Sequence, residues 1–116
     1  PKYFIGELKI KQLLQENNIS FECEKIFPTC KNPKTNYPLR FDFFVDNKYL
    51  IEYNGNRFIA EGTWGKNLET IQERDNFKKE WCKVNNIPLI IIPYTYYNEL
   101  TIDDLLLSDN NKFILT

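Results

Sequence analysis

Residues 39–55 read LRFDFFVDNKYLIEYNG, and the rest of the chain is organised around this stretch. Two runs rich in aromatic and β-branched residues, 39–46 and 49–54, flank a short polar segment, which predicts two antiparallel strands joined by a tight turn. Asp42 lies in the middle of the first run and Glu52 near the end of the second. Because an ionised carboxylate among apolar neighbours is costly without a partner, this pair of acids predicts a bound cation.

The length of the turn decides whether the two acids meet. If residues 46–48 form a three-residue turn, Val45 pairs with Tyr49, and Asp42 falls opposite Glu52 on the same face of the sheet. Opposed β-carbons in such a pair are about 5 Å apart, and like charges there repel each other unless a divalent cation lies between them. A two-residue turn would place the acids on opposite faces.

The remaining segments predict an α/β (α+β) domain with a mixed sheet flanked by helices, in the order αβββαβα. The long helix and the apolar run that follows it, IPLIIIP, indicate a crossover to a strand buried inside the sheet. The expected helices are 4–17, 67–85 and 98–107, the further strands are 19–27 and 87–93, and the main loops are 28–38 and 55–66.

Alternation of side chains along a strand predicts which residues share a face. Pro28 is expected to end the strand that precedes it, and residues 108–116 are expected to be loosely held. The residues predicted to share a face are Leu39, Phe41, Phe43 and Val45 in one strand, and Ile19, Phe21, Cys23, Lys25 and Phe27 in the other.

Composition narrows the function classes. The 116 residues are enough for one domain, taken as 1–116 with a core over 4–95 and a peripheral helix and tail over 96–116. The lack of an apolar run of membrane-spanning length predicts no membrane partner. The three cysteines and the absence of histidine disfavour a zinc site and favour reduced thiols in a cytoplasmic protein. A net charge of −1 neither supports nor excludes nucleic acid.

Several charged side chains allow two interpretations. Glu7 shares a helical stripe with apolar residues, which favours an inward role, but an acid in a first turn also stabilises the helix dipole. Lys78 either lies against the sheet, in a stripe with Asp75 and Cys82, or belongs to a solvated face. The lysines of residues 28–38 either contact phosphates or line a solvated loop, which is the more common case.

Five short motifs occur in an order that resembles the PD-(D/E)XK nuclease superfamily. More closely, the chain is similar to small phage and mobile-element endonucleases related to very short patch repair endonucleases. The resemblance covers about residues 4–95. It rests on Ile5-Gly6-Glu7, LRFDF at 39–43, IEYNG at 51–55, Arg74-Asp75 with Lys78, and IPLIIIPY at 87–94.

This resemblance implies a single restriction-endonuclease-like domain that hydrolyses phosphodiester bonds in DNA with Mg²⁺, for which Mn²⁺ would substitute. Asp42 and Glu52 would bind the metal through their side chains and Tyr53 through its carbonyl. Glu7 would reach the site directly or through water. If the protein is phage-encoded, it would act in the host cytoplasm.

The chain also departs from the family pattern. Asn54 stands where the signature has lysine, and Lys78 would supply the missing positive charge. Phe58 stands where close relatives have histidine, so that residue's acid/base or metal role is absent. The candidate nucleic-acid contacts are Arg57, Lys66 and Arg74.

Three hypotheses remain at this point. The first is a Mg²⁺-dependent endonuclease, with an additional recognition domain or a homodimer partner to select its target. The second is a catalytically impaired nuclease fold that acts as a nucleic-acid-binding or interaction module. The third is a structural domain in which Asp42 forms an ion-pair network with Arg40, Arg57 or Lys78.

Overall fold

A computed structural model describes residues 5–54 and 65–115 of the chain, with residues 65–71 described by their backbone alone. The long helices and the central strands match the predicted segments to within about two residues, which is the usual uncertainty of helix ends. The elements are α1 (Ile5–Glu16), β1 (Phe21–Lys31), β2 (Pro38–Val45), β3 (Tyr49–Asn54), α2 (Gly65–Val84), β4 (Leu89–Pro93), a 3-10 helix at Tyr94–Glu99, another at Ile102–Leu105, and β5 (Ile114–Leu115).

The strands among the described residues form one mixed sheet in the order β1-β2-β3-β4-β5. β3 and β4 are parallel and are joined through α2, as the predicted crossover requires, whereas the other neighbouring pairs are antiparallel. β5 was not predicted. It pairs with the outer side of β4, so the apolar run of β4 lies inside the sheet.

The β2–β3 turn has the predicted length. Val45 pairs with Tyr49, and the N–H of Lys48 donates to the carbonyl of Val45 at 2.9 Å. Asp46 and Asn47 have φ angles of 57° and 54°, in the left-handed region that short polar side chains tolerate. The three-residue turn is therefore confirmed, and with it the register that brings Asp42 towards Glu52.

The described core consists of two hydrophobic clusters, one on each face of the sheet. The first lies under α1, and the second under α2. Buried members of the first include Ile10, Leu14, Phe43, Val45, Ile51, Ile90 and Ile92. Buried members of the second are Cys30, Leu39, Phe41, Leu50, Cys82 and Leu89.

The prediction that Leu39, Phe41, Phe43 and Val45 share one face is wrong. Phe43 lies in the cluster under α1, whereas Phe41 lies in the cluster under α2. β1 changes face at the same level, because Phe21 and Cys23 pack under α1 and Phe27 packs under α2. Strict alternation is therefore broken in both strands, between the paired positions that flank Asp42.

A backbone irregularity explains this change of face. Cys23 pairs with Phe43 and Lys25 with Phe41, but the intervening pair, Glu24 with Asp42, is missing from the ladder. Glu24 has a φ of 52°, and a residue in this left-handed conformation interrupts the alternation of an extended strand.

The prediction that Pro28 ends β1 is also wrong, since the strand continues to Lys31. β1 is an edge strand of the described sheet, where proline's missing N–H removes no ladder bond. The register with β2 shifts between Ile26 and Lys31, around the proline. The connection to β2 is accordingly a turn over residues 32–37 rather than a loop over 28–38.

The predicted helix over 98–107 is replaced by the 3-10 helices at Tyr94–Glu99 and Ile102–Leu105. The second begins with a capping box in which the N–H of Thr101 donates to Oδ2 of Asp104 at 2.9 Å. None of the described helices has the length and apolar character needed to cross a membrane.

The segment predicted to be loosely held is fixed over its described residues, 108–115, because Asn111 is buried and its amide group is hydrogen-bonded. Nδ2 of Asn111 donates to the carbonyls of Asp104 and Leu106 at 2.9 and 2.8 Å. Its Oδ1 accepts from the N–H of Phe113 at 2.9 Å. These bonds direct the chain into β5.

Replacing Asn111 by Ala is expected to lower the free energy of unfolding by about 2–4 kcal/mol, because three hydrogen bonds are lost and buried backbone groups are left unsatisfied. Urea denaturation measures the change. Asn110→Ala is the matched control, since Asn110 is exposed, and we expect a change within about 0.5 kcal/mol. Equal effects of the two substitutions would contradict this account of the tail.

Candidate functional site

The site lies where β2 and β3 separate. The described ladder between these strands ends at the Phe43–Ile51 pair, one position before Asp42 and Glu52. Two side-chain hydrogen bonds replace ladder bonds there. The N–H of Asp42 donates to Oε1 of Glu52 at 2.9 Å, and the N–H of Tyr53 donates to Oδ2 of Asp42 at 2.8 Å. Each acid therefore binds the backbone of the opposite strand.

The backbone of Tyr53 faces the same gap. The N–H of Leu50 donates to the carbonyl of Pro88 in the β4 direction, so even-numbered residues of β3 direct their backbone groups towards β4. Odd-numbered residues direct theirs towards β2, as the bond from the Tyr53 N–H to Asp42 shows. Since the N–H and C=O of a strand residue point to the same side, the Tyr53 carbonyl also points into this gap.

Lys78 reaches the site from α2. Its Nζ lies 3.1 Å from Oε2 of Glu52, and it lies 5.2 Å from the centre of the Phe41 ring. The side chains of Lys78 and Glu52 are 15% and 17% exposed, so this ion pair is largely shielded from water. Of the two interpretations of Lys78, the one that places it against the sheet is confirmed.

The electrostatic environment of Glu52 disfavours its charge. Burial and the nearby carboxylate of Asp42 raise the pKa of Glu52 to about 7, against the opposing effects of Lys78 and of the hydrogen bond from the Asp42 N–H. A carboxyl group in this state takes up or releases a proton near neutral pH. Any added positive charge in the gap would favour its ionised form.

Glu7 approaches from the opposite side of the sheet. It lies in the first turn of α1. Burial raises the pKa of Tyr53 and of Cys23, and the charge of Glu7 adds to both shifts. Asp42 also raises the pKa of Cys23, so Glu7 and Asp42 both lie near this thiol. The structure thus places Glu7 on the α1 side of the gap and Lys78 on the α2 side.

Gly6 allows α1 to approach this closely. A β-carbon on Gly6 would overlap the ring of Tyr53, so a side chain at this position would displace the helix start that carries Glu7. Gly6 and Cys23 are the residues that sequence reasoning did not assign to the site. A glycine within a predicted helix is the signal that points to Gly6, whereas Cys23 has no sequence signal of its own.

The remaining predicted residues are less central. Asn54 ends β3 with an exposed side chain, on the same face as Glu52 by alternation. Arg74 is exposed on α2. Arg57 lies outside the described residues, and so does the side chain of Lys66.

The donor set fits a hard divalent cation. Carboxylate and carbonyl oxygens suit Mg²⁺ and Mn²⁺, and Mg²⁺ is commonly held by one or two carboxylates together with waters and substrate phosphates. Asp42, Glu52 and the carbonyl of Tyr53 offer such a set. Within the described side chains, no group of three or more Cys, Asp or Glu is arranged to hold a metal ion, so the described carboxylate donors of this set are Asp42 and Glu52.

Comparison with known proteins adds no assignment, because no family model, curated protein or solved structure matches this chain. The candidate function therefore rests on the residues themselves.

The raised pKa of Glu52 predicts a pH-dependent stability. Because the folded state favours the neutral carboxyl, the stability that Glu52 contributes is fully present below its ordinary pKa of 4.5 and is lost as the pH rises through about 7. In metal-free buffer, the wild type should lose this stability as the pH rises, whereas Glu52→Gln, which cannot ionise at this position, should not. The unfolding free energy of the variant minus that of the wild type is therefore expected to increase by about 1–3 kcal/mol from the low end of this pH window to the high end.

Urea denaturation at a series of pH values measures this difference. Glu99→Gln, at an exposed position, is the control and should give a smaller change than Glu52→Gln. A flat difference for Glu52→Gln would show that its pKa is not raised.

Proposed function

We propose that this chain is a Mg²⁺-dependent endonuclease domain with a restriction-endonuclease-like fold that hydrolyses phosphodiester bonds in DNA. The observation that carries the proposal is the interlocked pair of Asp42 and Glu52 at the point where β2 and β3 separate. The resemblance of LRFDF and IEYNG to PD-(D/E)XK motifs supports it. The position of Lys78 against Glu52 also supports it, since the signature lysine is replaced by Asn54.

Each residue of the candidate site would have its own role in metal binding or hydrolysis. Asp42, Glu52 and the Tyr53 carbonyl would hold Mg²⁺, which when bound supplies a Lewis acid and an activated water. Lys78 would favour the ionised form of Glu52 and contribute positive charge near the phosphate, as a fixed cation stabilises developing negative charge. Glu7 would accept a hydrogen bond from a water on the α1 side. Asn54 would orient the attacking water without acting as a base, since an amide cannot take up its proton.

A second candidate function is a nuclease-like module that binds nucleic acid or a partner without cleavage. One observation favours it: Glu52 already accepts bonds from the Asp42 N–H and from Lys78, and Asp42 accepts one from Tyr53. The acids are thus partnered within the protein. The absence of histidine is consistent with this alternative.

Metal binding separates a cation site from a purely structural network. Calorimetric titration with Mn²⁺ is expected to show one site in the wild type and at least about tenfold weaker binding in Asp42→Ala, because a ligand is lost. Asp103→Ala, at an exposed acid of a 3-10 helix, is the control and should bind like the wild type. Unchanged Mn²⁺ affinity in Asp42→Ala would contradict the metal site.

Cleavage of supercoiled plasmid DNA in Mg²⁺ or Mn²⁺ tests catalysis itself. We expect the wild type to nick the plasmid, and Asp42→Asn and Glu52→Gln to lose about 100-fold or more, since metal ligands exceed outer-shell groups in effect. Lys78→Met should lose about tenfold or more, and Asp103→Asn should retain full activity. If the wild type binds Mn²⁺ but does not nick DNA above the level of Asp42→Asn, the non-catalytic module is the better account.

A further inference from the structure

Basic charge is concentrated beside the candidate site. Residues 25–40 contain Lys25, Lys31, Lys34 and Arg40 and no acidic residue, in a chain whose net charge is −1. We call this segment, the end of β1, the turn and the start of β2, the hairpin arm. Its formal charge of +4 is partly offset in the structure, because Glu22, Glu73 and Glu24 lie within 3.4 Å of Lys25, Lys34 and Arg40. A run of basic residues without an acid in the segment itself still favours a polyanion partner, which can displace exposed glutamates.

The hairpin arm is a formed structure rather than a solvated loop. β1 and β2 pair out to Lys31 and Pro38, and the turn is closed by a bond from the N–H of Asn32 to the carbonyl of Tyr37 at 2.8 Å. Asn36, with a φ of 63°, donates its N–H to the carbonyl of Asn32 at 2.7 Å. The lysines of this segment are therefore held on an ordered hairpin.

One face of the hairpin arm packs on α2. Trp81 stacks near Phe27 with ring centroids 4.8 Å apart, and its Nε1 donates to Oγ1 of Thr29 at 3.1 Å. Lys34 lies 2.9 Å from Glu73 of the same helix. These contacts hold one face of the hairpin arm against α2.

The opposite face of the hairpin arm is open. Ile26 and Arg40 are paired across the strands and alternate with the buried Leu39 and Phe41, so they point away from α2. Ile26 is 39% exposed, and the side chain of Arg40 is 62% exposed. Arg40 precedes Asp42 by two residues, a separation of about 7 Å along a strand.

Arg40 is engaged by an acid of the same strand pair. Its Nη1 lies 3.1 Å from Oε1 of Glu24, whose side chain is 52% exposed. An ion pair so exposed contributes little stability, so a phosphate group can displace the glutamate at low cost. Glu24 thus occupies the position that an anionic ligand of Arg40 would take.

We propose that the hairpin arm binds the sugar–phosphate backbone of duplex DNA next to the candidate cleavage site. On the open face, Arg40 contacts a phosphate close to the one that a metal ion at Asp42 and Glu52 would engage, and Lys31 extends the contact towards the turn. Lys34 adds a contact at the turn itself, where its largely exposed ion pair with Glu73 can be displaced. Glu24 competes with the DNA for Arg40. The identity of the partner as DNA rests on the proposed function, whereas the charge and geometry of the hairpin arm do not.

Fluorescence anisotropy with a short labelled DNA duplex in EDTA, where metal-dependent cleavage cannot occur, tests this proposal. The triple variant Lys31→Gln, Lys34→Gln, Arg40→Gln is expected to bind at least about tenfold more weakly. The negative slope of log affinity against log salt concentration should become smaller in magnitude by about 2–3, because each phosphate contact contributes about 0.9 to that magnitude. The control triple Lys48→Gln, Lys83→Gln, Lys112→Gln changes the net charge equally at exposed lysines outside the hairpin arm, and should bind like the wild type.

Glu24→Gln gives a result of the opposite sign, since it removes the competing anion and should tighten binding about two- to fivefold. Arg40→Gln alone replaces the triple variant if thermal denaturation shows that the triple does not fold. Equal weakening by both triples, no duplex binding by the wild type at low salt, or preferential binding of an RNA of the same sequence would each overturn the proposal.

These outcomes are independent of the cleavage test. If the arm substitutions change neither plasmid nicking nor duplex affinity, DNA binding by the hairpin arm is contradicted and the nuclease activity is not. If duplex binding depends on the arm but the wild type does not nick the plasmid, the nuclease activity is contradicted and DNA binding by the hairpin arm is not.

Discussion

The candidate site depends on one exchange of hydrogen bonds, in which carboxylates take the place of backbone carbonyls between β2 and β3. A ladder that continued past Phe43 and Ile51 would satisfy its own N–H groups and leave the acids directed to solvent or to the core. Here the Asp42 N–H bonds Glu52, and the Tyr53 N–H bonds Asp42. Because a buried N–H must find an acceptor, the two acids are held in the gap by the backbone itself.

This exchange requires the two elements that flank the sheet. Two carboxylates close together in a partly buried gap repel each other, and this repulsion adds to burial in raising the pKa of Glu52. The crossover through α2 supplies Lys78, which opposes that effect from one face. On the other face, the lack of a side chain at Gly6 lets α1 rest on Tyr53. The fold thus positions a cation, an acid and a helix start around two residues of adjacent strands.

Much of this arrangement could be predicted from local sequence. The polar Asp46–Asn47 segment allowed the three-residue turn on which the register depends, and the IPLIIIP run indicated the inner strand. The stripe shared by Lys78 and Cys82 made a position of the lysine against the sheet one of two interpretations. These signals are local, because they depend on turn conformation or on periodicity within one element. The resemblance to nuclease motifs remains a prediction that the structure does not test.

The errors concern features that no single segment determines. The left-handed conformation of Glu24 breaks the alternation of β1 and, through pairing, that of β2, so the faces of Phe41 and Phe27 were assigned wrongly. Pro28 ends a strand only if its N–H side has a neighbour, which depends on the order of strands in the sheet. Asn111 appeared to belong to a polar tail, yet its amide is satisfied by carbonyls that the 3-10 segment brings to it.

The change of face at Glu24 and Asp42 has a mechanical consequence. On one side of this level, β1 and β2 adhere to α1 through Phe21 and Phe43. On the other side, they adhere to α2 through Phe27 and Phe41. Asp42 therefore lies where the apolar anchoring of β1 and β2 passes from α1 to α2, and the Phe27–Phe44 ring contact, 5.3 Å between centroids, joins the two parts. A displacement of either helix relative to the sheet would thus be transmitted to the strand that carries this carboxylate.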